Sequence, residues 1–216
     1  MPDTPILTLE DITFGYAGRP ALFAGLHFAL RRQEHVGLHG PNGSGKTTLL
    51  RLIMGLETPQ RGRLLFHGAP VDGRSLQRLR RGIGFVLQNS DDQLFSPTVL
   101  EDVAFGPLNL GLKRHEARNR AMETLESMGL AAYADRQTQR LSGGEKKMVS
   151  IASVLSMRPE ALLLDEPSAF LDDSSREKIL RILLQQDIAR VVVSHDKEFL
   201  GQTASSLFCI DSLAYL

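Results

Sequence analysis

The sequence predicts an α/β fold, and three observations carry that reading. The run Gly40-Pro41-Asn42-Gly43-Ser44-Gly45-Lys46-Thr47 is a P-loop pattern set between a strand-like apolar run and a helical one. Short apolar or alternating runs of strand length recur on both sides of it. Between about residues 97 and 139 no convincing strand occurs, so a helical subdomain interrupts the α/β core.

Taken in order, strands are expected at residues 7–13, 26–30, 35–39, 63–66, 83–87, 161–164, 190–194 and 207–210. Leu49, Leu52, Ile53 and Leu56 recur at helical spacing and place a helix directly behind the P-loop. Met148, Ile151, Ala152 and Leu155 do the same for a later helix, and residues 114–128 read as another. The result is one domain over residues 1–216. Its core takes about 1–88 and 157–216, and the helical subdomain about 89–156. There is no internal repeat and no low-complexity linker.

Composition narrows the function. Lys plus Arg and Asp plus Glu are both 25, so the formal charge is zero and nothing global attracts nucleic acid. Arg74, Arg78, Arg80 and Arg81 read as a solvated rim. Cys209, the only cysteine, sits in an apolar run and is expected in the core. Disulfides within the chain are thereby excluded, which fits a reducing compartment. The N-terminus has no charged-then-apolar signal segment. No apolar run approaches the roughly 18 residues of a membrane span. A soluble chain is expected, reaching a membrane only through a partner.

The P-loop carries the first chemistry. Glycines at 40, 43 and 45 let consecutive amides turn inward toward phosphate oxygens, and the helix beginning near Lys46 adds its positive dipole end. Lys46 is placed to reach the β- and γ-phosphates, and the Thr47 hydroxyl to ligate Mg²⁺. The pattern does not distinguish ATP from GTP. Residues 161–164 form a buried-strand run ending in Asp165-Glu166. Divergent geometry at the strand end lets Asp165 hold Mg²⁺ while Glu166 orients and deprotonates the attacking water. Leu141-Ser142-Gly143-Gly144-Glu145 opens the later helix, with Ser142 as a natural N-cap and a second set of free amides behind it. One P-loop already saturates one triphosphate. The second anion site needs either a second ligand or another subunit's nucleotide. His195 follows the strand at 190–194 and Gln88 ends the run at 83–87. From the residues alone, a lone histidine at a strand end is more often structural, and Gln88 by itself carries no signal. His27, His35, His39, His67 and His115 lack metal-ligand spacing and read as structural or surface residues.

These motifs together resemble the ABC-type ATPases over essentially the whole chain. Residues 40–47 match that family's Walker A, 161–166 its Walker B, 141–145 its signature, and 168–172 its D-loop. Gln88 matches the Q-loop and His195 the switch histidine. The resemblance implies a P-loop NTPase core of the ABC ATPase type, with an N-terminal antiparallel β subdomain and an inserted α-helical subdomain. It implies ATP hydrolysis with Mg²⁺, with Glu166, His195, Gln88 and Lys46 as catalytic residues and Thr47, Gln88 and Asp165 at the metal. Tyr16 would stack on adenine, and Gly40 through Thr48 would hold the phosphates. It further implies a head-to-tail dimer, identical or homologous, in which Ser142, Gly143 and Gly144 close over the partner's ATP.

A narrower resemblance lies in Val86-Leu87-Gln88-Asn89-Ser90-Asp91-Asp92-Gln93-Leu94-Phe95 and Glu101-Asp102-Val103-Ala104-Phe105-Gly106-Pro107. The stretch is similar to the ATPases of energy-coupling-factor importers, especially the cobalt and nickel branch, and Glu145-Lys146-Lys147 also fits. That implies a peripheral subunit on the cytoplasmic face of the cell membrane. It would dock on the coupling helix of a transmembrane scaffold and act indirectly on a substrate-binding membrane subunit. Importers of a vitamin or another solute, or a soluble non-transport ABC ATPase, are the alternatives, and no nucleic-acid partner is expected. The chain departs from the pattern at Phe170 and Asp173, where glycine and proline are usual, and at Met148, where arginine is common. Many relatives also carry a C-terminal extension for dimer contacts. Without it, weak dimerisation in the absence of ATP is expected.

Overall fold

A computed structural model describes residues 4–210; the outermost residues of the expected core, 1–3 and 211–216, lie outside the described residues. The chain runs β1 (Leu7–Phe14), β2 (Phe23–Leu30), β3 (His35–His39), α1 (Lys46–Ile53), β4 (Arg61–Phe66) and β5 (Ala69–Pro70). It continues through α2 (Leu76–Gly82), β6 (Ile83–Val86), α3 (Val99–Asn109), α4 (Arg114–Ser127) and α5 (Gly143–Leu155). It ends with β7 (Ala161–Asp165), α6 (Asp173–Leu184), β8 (Ala189–Val193), α7 (Lys197–Thr203) and β9 (Ser206–Cys209).

Two sheets result. An antiparallel one has the order β2-β1-β4-β5, and a parallel one the order β6-β7-β8-β3-β9. Buried on both faces, β7 and β8 are near-continuous apolar runs, interrupted by Arg190 in β8 and closed by Asp165 in β7, as parallel strands covered on both sides are. Their period of two divides the core. Ala161 and Leu163 of β7, with Val191 and Val193 of β8, pack on the side of α1 and the antiparallel sheet. Leu162, Leu164 and Val192 pack against α5 and the helices around it. The helical segment thus shares one core face with the parallel sheet.

Two expectations change, and a third gains detail. Leu56 lies beyond the end of α1 and is 50% exposed, because the chain turns at Gly55, which takes φ +59°. The arginine-rich segment forms α2, and Arg74, Arg78, Arg80 and Arg81 are all exposed as a solvated rim would be, but Arg80 also has fixed partners. It donates from Nε to the Met54 carbonyl at 3.2 Å and from Nη2 to that of Gly55 at 3.0 Å, filling acceptors left at the end of α1. Cys209 is half-buried in edge strand β9 rather than in the core. Among the described residues no helix is long and apolar enough to cross a membrane.

Candidate nucleotide site

In the parallel sheet β6, β7, β8 and β3 are consecutive neighbours, so their carboxyl ends open side by side. Gln88 follows β6, Asp165-Glu166 close β7, His195 follows β8, and the P-loop follows β3. Four segments distant in sequence therefore meet at one sheet edge, where ligands of open α/β sheets bind. A cleft of about 870 Å³ lies there. Asn42, Gly43, Gly45, Lys46, Thr47 and Thr48 line its floor, and Gln88, Asp165, Glu166 and His195 its wall. Tyr16 stands at one side, edge-on to Phe14 with ring centroids 5.1 Å apart, its hydroxyl 3.3 Å from Thr48 Oγ1.

The loop's glycines have specific reasons. Gly43 and Gly45 take φ +80° and +97°, and a Cβ on Gly45 would stand 2.8 Å from the Phe23 ring. Lys46, 7% exposed, donates to the carbonyls of Gly40 and Pro41, both at 2.9 Å, and so braces the loop from within. Ser44 Oγ is buried without a hydrogen-bond partner.

The two acids differ as strand-end geometry suggests. Asp165 shares the strand face of Ala161 and Leu163, toward α1, and takes a hydrogen bond from Thr47. Burial pushes its carboxyl above the usual range against the Thr47 bond and the Lys147 and Lys46 charges, and its Oδ1 has no partner. A buried, unpartnered carboxylate oxygen on a residue that lines the cleft beside a hydroxyl fits a hard divalent cation completed by phosphate oxygens and water. Glu166, 8% exposed, sits at φ +47°, a left-handed conformation costly for glutamate. Its Oε2 accepts from the His195 amide at 3.3 Å. Its Oε1 lies 3.4 Å from His195 Nε2 but outside hydrogen-bond geometry.

Ser142, Gly143 and Gly144 do not line this cleft. Ser142 caps α5 with a reciprocal box to Glu145, and Gly144 packs so closely on Ser175 that any side chain there would collide with it. The first-turn residues of α5 thus take no part in lining this cleft. Phe170 lines the cleft mouth, is 98% exposed, and adopts φ +61°, the conformation glycine takes at no cost. Met148 is 3% exposed and packs in the core beneath α5.

Two residues to which the motifs assigned no role reach the site's edge. Lys147, 3% exposed, donates to the carbonyls of Leu87 at 2.8 Å and Gln88 at 2.7 Å. Burial pushes its ammonium down to about 8, against the pull of Asp165 and Glu166. Gln93 accepts from the Leu87 amide at 3.0 Å and donates to the Ser150 carbonyl at 2.8 Å and Ser153 Oγ at 3.1 Å. The only available signal was the position of Lys147 on the buried face of α5, where a lysine is out of place.

Comparison with known proteins places this geometry. The family described as ABC transporter matches residues 23–169. The energy-coupling factor transporter ATP-binding protein EcfA of Methanothermobacter thermautotrophicus is 44% identical over 213 residues, covering 96% of this chain and 68% of that protein. The cobalt import ATP-binding protein CbiO of Rhodobacter capsulatus is 47% identical over 183 residues, 83% of this chain and 65% of that protein. Among solved structures, cbiO1 from Clostridium perfringens, part of the ABC transporter complex cbiONQ, superposes with a TM-score of 0.86 at 34% identity. That match covers 96% of this chain and 85% of cbiO1.

Proposed function

The chain belongs to the ABC transporter family as one of its ATP-hydrolysing cassettes, and from that premise we propose that it powers an energy-coupling-factor importer of cobalt or nickel ions. Relatives named for energy coupling and for cobalt import support the class of transporter. The cleft at the sheet edge supports the chemistry.

In this reading ATP lies along the P-loop with its adenine on Tyr16. The P-loop amides and Lys46 hold the β- and γ-phosphates, Lys46 leaving its loop carbonyls to do so. Asp165, Thr47 and Gln88 would hold Mg²⁺, which when bound neutralises charge on the phosphate oxygens. Glu166 takes a proton from a water in line with the γ-phosphorus. As the new P–O bond forms, the bond to the β-phosphate oxygen breaks, leaving ADP and inorganic phosphate. The left-handed backbone at Glu166 aims this carboxylate into the cleft beside His195, which touches the γ-phosphate. Ser142, Gly143 and Gly144 serve the ATP of a second, head-to-tail cassette.

One observation carries the membrane role. Phe95 and Phe105 are 65% and 43% exposed, and their rings stack edge-to-face with centroids 4.7 Å apart on the helical subdomain. Asp102 pins the loop that presents Phe95, accepting from the amides of Phe95 at 3.3 Å and Ser96 at 2.9 Å. A rigid exposed aromatic pair suits a helix of a membrane scaffold. Phe95→Asp tests it: the purified chain should fold and hydrolyse ATP normally, yet fail to stay with its membrane partners. Retained association and coupling would remove the docking assignment. Cargo never touches these residues, so a vitamin importer is the second reading.

A further inference from the structure

We propose that Lys147 is a positioning residue for hydrolysis, hanging the Q-loop from the signature helix so that Gln88 and Ser142–Gly144 move as one body. The inference rests on the reading of Gln88 as a residue of the metal and attacking-water site.

Strand β6, which ties the preceding residues to the sheet, ends at Val86. From Leu87 to Gln93 the chain is held by α5 through three side chains. Lys147 takes the Leu87 and Gln88 carbonyls, and Gln93 bridges the Leu87 amide to Ser150 and Ser153. Lys146 meets Asp91 at 2.6 Å, near the surface. Gln88 lines the chain's own nucleotide cleft, whereas Ser142, Gly143 and Gly144 do not. Lys147 therefore joins a residue of one ATP site to the helix end that serves the other.

The choice of lysine is informative. A buried ammonium is costly, and lysine is among the residues least often fully buried without a partner charge. Here its hydrogen bonds go only to main-chain carbonyls, and the carboxylates it feels, Asp165 and Glu166, belong to the cleft. Gln93 shows that a neutral amide suffices to staple this segment to α5. A cation at 147 adds charge-assisted bonds at the residue whose side chain must be placed. Displacement of α5 on closure over the partner's nucleotide is thereby transmitted to Gln88 through one side chain.

The test is a double-mutant cycle on the full chain, measuring phosphate release against MgATP concentration. Lys147→Met should lower turnover about tenfold or more, the loss of a charged hydrogen-bond donor. Its half-saturating MgATP should move less than about twofold, because the nucleotide contacts are intact. Gln88→Ala should lower turnover as well, and the double variant should fall no further than Gln88→Ala alone. Losses that multiply, or wild-type turnover in Lys147→Met, overturn the proposal while the Gln88 assignment stands. Wild-type turnover in Gln88→Ala removes the Gln88 assignment and the Lys147 proposal with it. If circular dichroism shows Lys147→Met unfolded, Lys147→Ala, which removes the donor without filling its space, takes its place in the cycle with the same outcomes.

Discussion

Replacing Glu166 by glutamine isolates the step that defines the enzyme. The carboxylate is 8% exposed and holds one long hydrogen bond, from the His195 amide at 3.3 Å to Oε2, while Oε1 has none. Glutamine keeps the shape and an acceptor oxygen, so little folding energy is at stake. A change of about 1 kcal/mol corresponds to roughly 2–4 °C in a domain of this size, and the thermal midpoint should stay within that range. What disappears is the base. A positioned general base contributes about 10²–10⁴-fold, and steady-state phosphate release at saturating MgATP should fall by at least the lower figure. ATP binding, followed with a fluorescent analogue, should be retained. Light scattering should then show a dimer with MgATP that the wild-type chain loses as it turns over. Wild-type phosphate release from the Glu166→Gln chain would refute the assignment of the base.

Three further predictions follow from individual contacts. Tyr16→Ala should weaken ATP binding roughly five- to hundredfold, the range of base–aromatic stacking, whereas Tyr16→Phe should bind like wild type in the same fluorescence titration. Arg190 is 3% exposed and donates to the carbonyls of Thr203, Leu183 and Gln186 and to His35 Nδ1. Arg190→Met should therefore cost about 3 kcal/mol and lower the thermal midpoint by about 6–12 °C. Burial, helped by the Arg190 charge, holds His35 below the ordinary histidine value of 6.5. The unfolded chain then binds more protons than the native one below about that pH, so stability should fall as the pH drops through it. A thermal midpoint that does not decline from pH 7 to about 5.5, or declines equally in His35→Asn, would count against this.

Regular elements were legible where a period dominates. Alternating or continuous apolar runs marked β1, β3 and β7 within a residue or two of their ends, and the buried face of α5 followed from Met148, Ile151, Ala152 and Leu155. Strand β5, two residues long, has no period to detect, and the turn at Gly55 ended α1 before the apolar spacing did. At the candidate site the glycine pattern and the acidic pair were readable because their chemistry is local. Gln88, His195 and Tyr16 were readable only through the family resemblance, since nothing local to them in the chain shows that they line one cleft. The roles of Lys147 and Gln93 were hidden because most of their partners lie about 60 residues away, chiefly in main-chain groups that carry no sequence signal. Phe170 shows the opposite failure. A residue ill-suited to φ > 0 nevertheless takes φ +61° there.

The most direct test of the importer assignment is to purify the tagged chain from its own host's membranes in mild detergent and identify what accompanies it. The account predicts a helical membrane scaffold together with a cation-binding membrane subunit. Ribosomal or DNA-associated proteins, with nothing from the membrane, would contradict it and leave only the ATPase.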